Sequence, residues 1–191
     1  MMKTVGVILA GGNSTRFGED KALYELQGTP MYEHIADAMK ISGVTDEIIV
    51  STNQRLAGAF NYETVTDVPG FLDKGPLGGI YAAAKHRPGC RLMVVSCDTP
   101  YVPAEWLLKL HRAAQAYEEK LILTEEGGQL HPLIGIYQGT DLAGALKAQL
   151  ETDRLSMRAF SENRETAALD AAAYGVHGDA LVNINRRMDI L

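Results

Sequence analysis

The chain has 191 residues, enough for one compact domain that buries roughly 70% of the surface an unfolded chain exposes. Hydrophobic residues make up 46% and charged residues 22%, a soluble globular balance that excludes extended disorder. A formal net charge of -6 argues against a general nucleic-acid binder, which needs a basic face, and leaves room for a local basic pocket that holds a small anion.

The first predicted element is Val5 to Leu9, a continuous apolar run ended by glycines, which reads as a strand covered on both faces of a parallel sheet. A helix is predicted over about Met31 to Ile41, a second strand at Glu47 to Ser51, and a helix at the alanine-rich stretch Leu77 to Lys85. A third strand runs from Arg91 to Ser96. Pro103 and the residues after it read as a helix start with proline in the first turn. Further strands are expected at Lys120 to Thr124 and Leu133 to Tyr137, and a helix from Asp141 to Leu150. This alternation predicts an α/β fold, a three-layer α/β/α sandwich with a mostly parallel sheet, spanning residues 1–191 as one domain. In such a sheet ligands sit beyond the carboxyl ends of the strands, so the loops after Leu9, Val50 and Ser96 are expected to share one rim. No run approaches about 18 uninterrupted apolar residues and no secretory pattern opens the chain, so the expectation is cytoplasmic residence with no membrane partner.

The loop after the first strand reads Gly11-Gly12-Asn13-Ser14-Thr15-Arg16-Phe17-Gly18-Glu19-Asp20-Lys21. Its small residues let backbone N–H groups approach an anion, and Arg16 and Lys21 supply opposite charge. At about 4 Å and an effective dielectric near 20, one such charge pair amounts to roughly 4 kcal/mol before desolvation. The spacing is not that of a P-loop, since Ala22 follows Lys21, and it is not Gly-x-Gly-x-x-Gly, for which Glu33 would make only a weak acidic partner.

Ser96-Cys97-Asp98-Thr99-Pro100 ends the third strand and places a carboxylate on the expected rim. Magnesium takes one or two carboxylates plus phosphates and waters, so a single aspartate there can suffice. An aspartate capping the next helix is the plainer alternative. Cys90 and Cys97 are too few for a disulfide framework and lack zinc-type spacing, and both read as buried small hydrophobes.

Taken together, Leu9-Ala10-Gly11-Gly12-x-Ser14-x-Arg16-x-Gly18-x-Asp20-Lys21, Gly75-Pro76-Leu77-Gly78-Gly79, Cys97-Asp98-x-Pro100, His131-Pro132 and Asn183-x-Asn185 resemble the molybdenum cofactor guanylyltransferase family. The resemblance implies a Rossmann-like nucleotidyltransferase fold and transfer of GMP from GTP to the terminal phosphate of Mo-molybdopterin, with release of pyrophosphate. It implies Arg16, Lys21 and Asp98 as catalytic residues, with Asp98 holding Mg2+. Leu9, Ala10, Gly11, Gly12, Lys21, Asn53, Asp67 and Asp98 are then nucleotide-binding. Gly78, Gly79, His131, Arg154, Asn183 and Asn185 are implied on the acceptor side. Other cofactor-biosynthesis proteins and recipient molybdoenzymes are implied partners. Asn53 and Asp67 also fit ordinary turn and cap roles, and His131 and Arg154 fit structural or surface roles. The chain departs from the family at Arg186-Arg187, where Thr-Pro is usual.

Three alternatives stay open. Cytidylyltransferases acting on the same cofactor tend to carry Thr-Ala-Ala-Gly where this chain has Leu9-Ala10-Gly11-Gly12, which favours GTP over CTP. A sugar- or polyol-phosphate nucleotidyltransferase is a second enzyme reading. A nucleotide-binding protein that delivers the cofactor without catalysis is the third, and retention of Arg16, Lys21 and Asp98 argues against it.

Overall fold

The computed structural model describes residues 2–12, 20–185 and 189. Arg16, Arg186 and Arg187 lie outside them. In chain order the elements are β1 (Thr4–Leu9), the small hairpin β2 (Glu25–Leu26) and β3 (Thr29–Pro30), α1 (Met31–Ser42), β4 (Glu47–Thr52), β5 (Glu63–Thr66) and α2 (Gly75–His86). They continue with β6 (Arg91–Ser96), α3 (Ala104–Ala116), β7 (Leu121–Glu126), β8 (Gln129–Tyr137), α4 (Leu142–Leu150), α5 (Met157–Glu162) and β9 (Thr166–Asp170).

The central sheet has the order β5-β4-β1-β6-β8-β7-β9. Within it β8 runs against its neighbours and the other pairings are parallel. The apolar run of β1 is fully buried because each side of the pleat meets a helical layer. Val5, Val7 and Leu9 join the cluster that includes Leu77 and Ile80 of α2 and Leu146 of α4. Ile8 faces the cluster that includes Ile35 and Met39 of α1 and Trp106 and Leu110 of α3. Gly6 is required on that second face, since a Cβ there would come within 2.6 Å of Met39 Sδ. These are the three layers and the mostly parallel sheet expected from the sequence.

The differences are local. Pro103 caps α3 from outside, with extended backbone, and does not stand in its first turn. The helix predicted from Leu77 begins at Gly75, with Pro76 in its first turn, where a missing N–H costs nothing. The strand predicted from Leu133 begins at Gln129, because β7 and β8 form a continuous hairpin through Gly127 and Gly128, both at positive φ. A register shift between Leu123 and Thr124 interrupts that pairing. There Thr124 Oγ1 accepts from Trp106 Nε1 at 2.8 Å and donates to Ile134 O at 2.7 Å, so the polar atoms in this buried layer are satisfied.

Candidate active site

The strand ends that carry the site are level. Leu9 pairs with Ser51 of β4 on one side and with Ser96 of β6 on the other, so the loops after β1, β4 and β6 leave the sheet together. Hydrogen bonds stitch them beyond the last ladder residues. Ala10 N–H donates to Ser51 O at 2.7 Å, Thr52 Oγ1 donates to Ala10 O at 3.3 Å, and Cys97 N–H donates to Leu9 O at 3.0 Å. Ala10 is thereby buried in the core beneath the rim and is not among the residues that line the cleft over it.

A cleft of about 330 Å³ opens over this rim. It is lined by Leu9, Gly11, Gly12 and Lys21, by Ser51, Thr52 and Asn53, by Asp67, Asp73, Gly75, Pro76 and Gly79, by Ser96, Cys97 and Asp98, and by Leu133. Among the described residues a Cβ at Gly12 would meet nothing within 4 Å. At Gly79 a Cβ would lie 2.7 Å from Ser51 Oγ and 3.3 Å from Leu9 Cδ2, so the bare backbone is what lets the first turns of α2 rest on the rim. No side chain caps α2 and its first turn holds no acidic residue, which suits an anion near its N–H groups.

Lys21 and Asp98 pair at the cleft. Lys21 Nζ donates to Asp98 Oδ2 at 3.3 Å, with 14% and 19% of the two side chains exposed. The same ammonium donates to Asn185 Oδ1 at 3.1 Å. Asp98 Oδ1 is buried and makes no hydrogen bond. A carboxylate with one oxygen held by lysine and the other unsatisfied fits a divalent cation that completes its shell with phosphate oxygens and water. Among the described residues no group of three or more Asp, Glu, His or Cys side chains is placed to hold a metal ion. Asp98 does not cap the following helix, which starts at Ala104.

Asn53 and Asp67 reach the cleft and also hold their own loops. Asn53 Oδ1 accepts from Leu56 N–H at 3.1 Å, and Asp67 Oδ2 accepts from Asp73 N–H at 2.9 Å. Asp73 is a site residue that sequence reading missed. It lines the cleft with φ at 55°, a left-handed backbone that no motif signals outside glycine. Ser51, Thr52, Ser96 and Leu133 were missed as well, and the strand ends themselves were the available signal. Arg55, also unforeseen, grips Asp20 through two bonds of 2.8 and 2.6 Å and ties the end of the glycine-rich loop to the loop after β4. That guanidinium holds the Asp20 carboxyl below its ordinary range.

The remaining site candidates from sequence, among the described residues, do not line the cleft, although Asn185 touches it through Lys21. Gly78 turns toward Lys74 and Asp67 rather than onto the cleft. His131 lies on β8 with Nε2 3.9 Å from Glu126 Oε2. Arg154 pairs with Glu162 at 2.8 Å and is 65% exposed. Asn183 and Asn185 flank buried Ile184 in an irregular segment and are both exposed. Glu33 accepts from Asn61 and Tyr62 at 3.2 and 3.0 Å, a structural role. Cys97 is buried, and loss of solvent together with the Asp98 charge pushes its thiol up to about 12, so it is no nucleophile.

Comparison with known proteins agrees with this fold. A solved structure of molybdopterin-guanine dinucleotide biosynthesis protein A from Archaeoglobus fulgidus superposes with a TM-score of 0.79 at 18% identity, covering 97% of this chain and 94% of that one. A nucleotidyl transferase from Methanothermobacter gives 0.70 at 20% identity, covering 98% and 94%. Rv0371c from Mycobacterium tuberculosis, in complex with manganese, gives 0.63 at 20% identity, covering 88% and 89%. At these identities the likeness establishes the fold alone. The family is established by sequence, because the model of the MobA-like NTP transferase domain matches residues 6–168, and the chain therefore belongs to that family and is a nucleotidyltransferase.

Proposed function

We propose that the chain transfers GMP from GTP to the terminal phosphate of Mo-molybdopterin, with Mg2+ held by Asp98. The observation that carries this reading is the Lys21–Asp98 pair at the cleft wall with Asp98 Oδ1 unsatisfied. In the reaction a phosphate oxygen of the acceptor attacks the α-phosphorus of GTP. The new P–O–P bond forms as the bond from the α-phosphorus to the bridging oxygen breaks, and pyrophosphate leaves with that electron pair. Bound Mg2+ supplies Lewis-acid stabilisation of charge on the phosphate oxygens. Lys21 and Arg16 bind and orient the triphosphate, while the backbone of Leu9, Ala10, Gly11 and Gly12 lets the nucleotide lie close. No covalent enzyme intermediate is required, which suits a site whose one cysteine is buried and protonated.

Asn53 and Asp67 are assigned to nucleotide binding, and the N1–H and N2–H₂ donors of guanine suit a carboxylate or backbone carbonyls as acceptors. Gly78, Gly79, His131, Arg154, Asn183 and Asn185 are assigned to the acceptor side, with the C-terminal half receiving the pterin. The motif Leu9-Ala10-Gly11-Gly12 supports GTP over CTP. The reading also makes other proteins of cofactor biosynthesis and recipient molybdoenzymes the expected partners.

The test incubates the protein with Mo-molybdopterin, magnesium and each of GTP, CTP and ATP, and measures dinucleotide and pyrophosphate. GTP is expected to give the product, and equal use of CTP would reject the guanylyl assignment. Asp98→Asn is expected to lower metal-dependent turnover by at least about 100-fold in a folded protein. Near-normal turnover in that variant would remove Asp98 from the role.

A further inference from the structure

The C-terminal segment, read from sequence as acceptor-binding, is bonded to the nucleotide half of the site. Ile184 is fully buried in a small cluster with Leu26 and Met31, next to the β2–β3 hairpin that follows Lys21. Its N–H donates to Asp98 O at 2.8 Å, so the segment is fastened to the backbone of the carboxylate that faces the cleft. The next residue, Asn185, has its own N–H fixed by Asp189 Oδ2 at 2.9 Å. Its side-chain oxygen accepts from Lys21 Nζ at 3.1 Å, a contact spanning 164 positions of sequence and shorter than the 3.3 Å from Lys21 to Asp98.

A lysine ammonium sits on a flexible four-carbon stem with three rotatable donors, so each acceptor held on an anchored segment narrows the positions it can take. Asn185 Oδ1 is such an acceptor, beside Asp98 Oδ2. We propose that Asn185 is a positioning residue for Lys21, so that the C-terminal segment completes the triphosphate grip as well as bordering the acceptor. The inference rests on the nucleotidyl-transfer reading of this site but not on which nucleotide or acceptor is used. Because Asn185 acts through Lys21, its contribution should exist only while Lys21 is present.

The experiment is a double-mutant cycle on nucleotide affinity, without acceptor, using GTP, CTP, ATP and UTP with magnesium and isothermal calorimetry. For the nucleotide that binds, Asn185→Ala is expected to weaken affinity about three- to tenfold and Lys21→Met by more than that. In the Lys21→Met background the Asn185→Ala change should add less than about 1.5-fold. Unchanged affinity in Asn185→Ala, or an equal loss in both backgrounds, overturns the proposal. Because the Asn185 side chain is exposed and Ile184 keeps its anchor, the truncation leaves the core intact, and thermal unfolding checks this. Steady-state assay adds a second reading: KM for the nucleotide rises with Asn185→Ala, whereas a contact to acceptor alone would raise only the acceptor's KM. Tight binding of CTP in place of GTP would overturn the guanylyl assignment and leave the coupling measurable with CTP.

Discussion

Cys97 stands beside Asp98, the residue proposed to hold the metal, yet its chemistry is set by its burial. With the thiol pushed up to about 12, only about one part in ten thousand is thiolate at pH 8. Iodoacetamide should therefore leave Cys97 unmodified in the folded protein at pH 8, and peptide mapping reads the result. Cys97→Ala should keep most of the turnover while costing about 1 kcal/mol of stability from lost packing. Rapid native-state alkylation or a collapse of turnover would restore a reactive thiol. Asp98, Asn53, Gly11 and Gly12 were legible from sequence because each combines a distinctive residue type with a place just after an apolar strand, and Lys21 because it closes the glycine-rich loop. Asp73 and Arg55 were not. One depends on a left-handed turn and the other on a contact across 35 positions, neither of which has a local signature.

At the scale of elements, strand ends explain which parts of the site could be foreseen. Β1, β4 and β6 are buried apolar runs, and once they were recognised their loops had to share a rim. Β5 and β9 lie at the sheet edges, are short and keep polar positions, so no continuous apolar run reveals them. Α5 has only six residues and was missed for the same lack of period. The tie between Asp20 and Arg55 joins two of the rim loops, although 62% of the arginine side chain is exposed. Exposed ion pairs add little to global stability, so Arg55→Ala should shift the unfolding midpoint by no more than about 2 °C. Its effect should fall on the loop that carries Lys21, with nucleotide affinity about two- to fivefold weaker by calorimetry. An unchanged affinity would make the pair a surface ornament.

The whole molecule shows where acid should act. Arg87, just past α2, donates to both Glu47 and Glu63 at 2.7 and 2.6 Å, and His86 lies 2.6 Å from Glu63. Arg87 holds Glu47 below the ordinary carboxylate range, and His86 followed by Arg87 does so for Glu63. A carboxyl depressed on folding stabilises the protein above its unfolded pKa and loses that contribution as pH falls toward the folded value. The urea midpoint should thus drop as pH falls below about 4.5, and Arg87→Met should flatten the drop. Equal slopes in both proteins would place acid sensitivity elsewhere. The reversed direction of β8 has a different consequence. Leu133 reaches the cleft because that reversed strand crosses the rim on its way back from the Gly127-Gly128 turn. A substitution at Leu133 would therefore reshape one edge of the cleft while the three level strands stay in place.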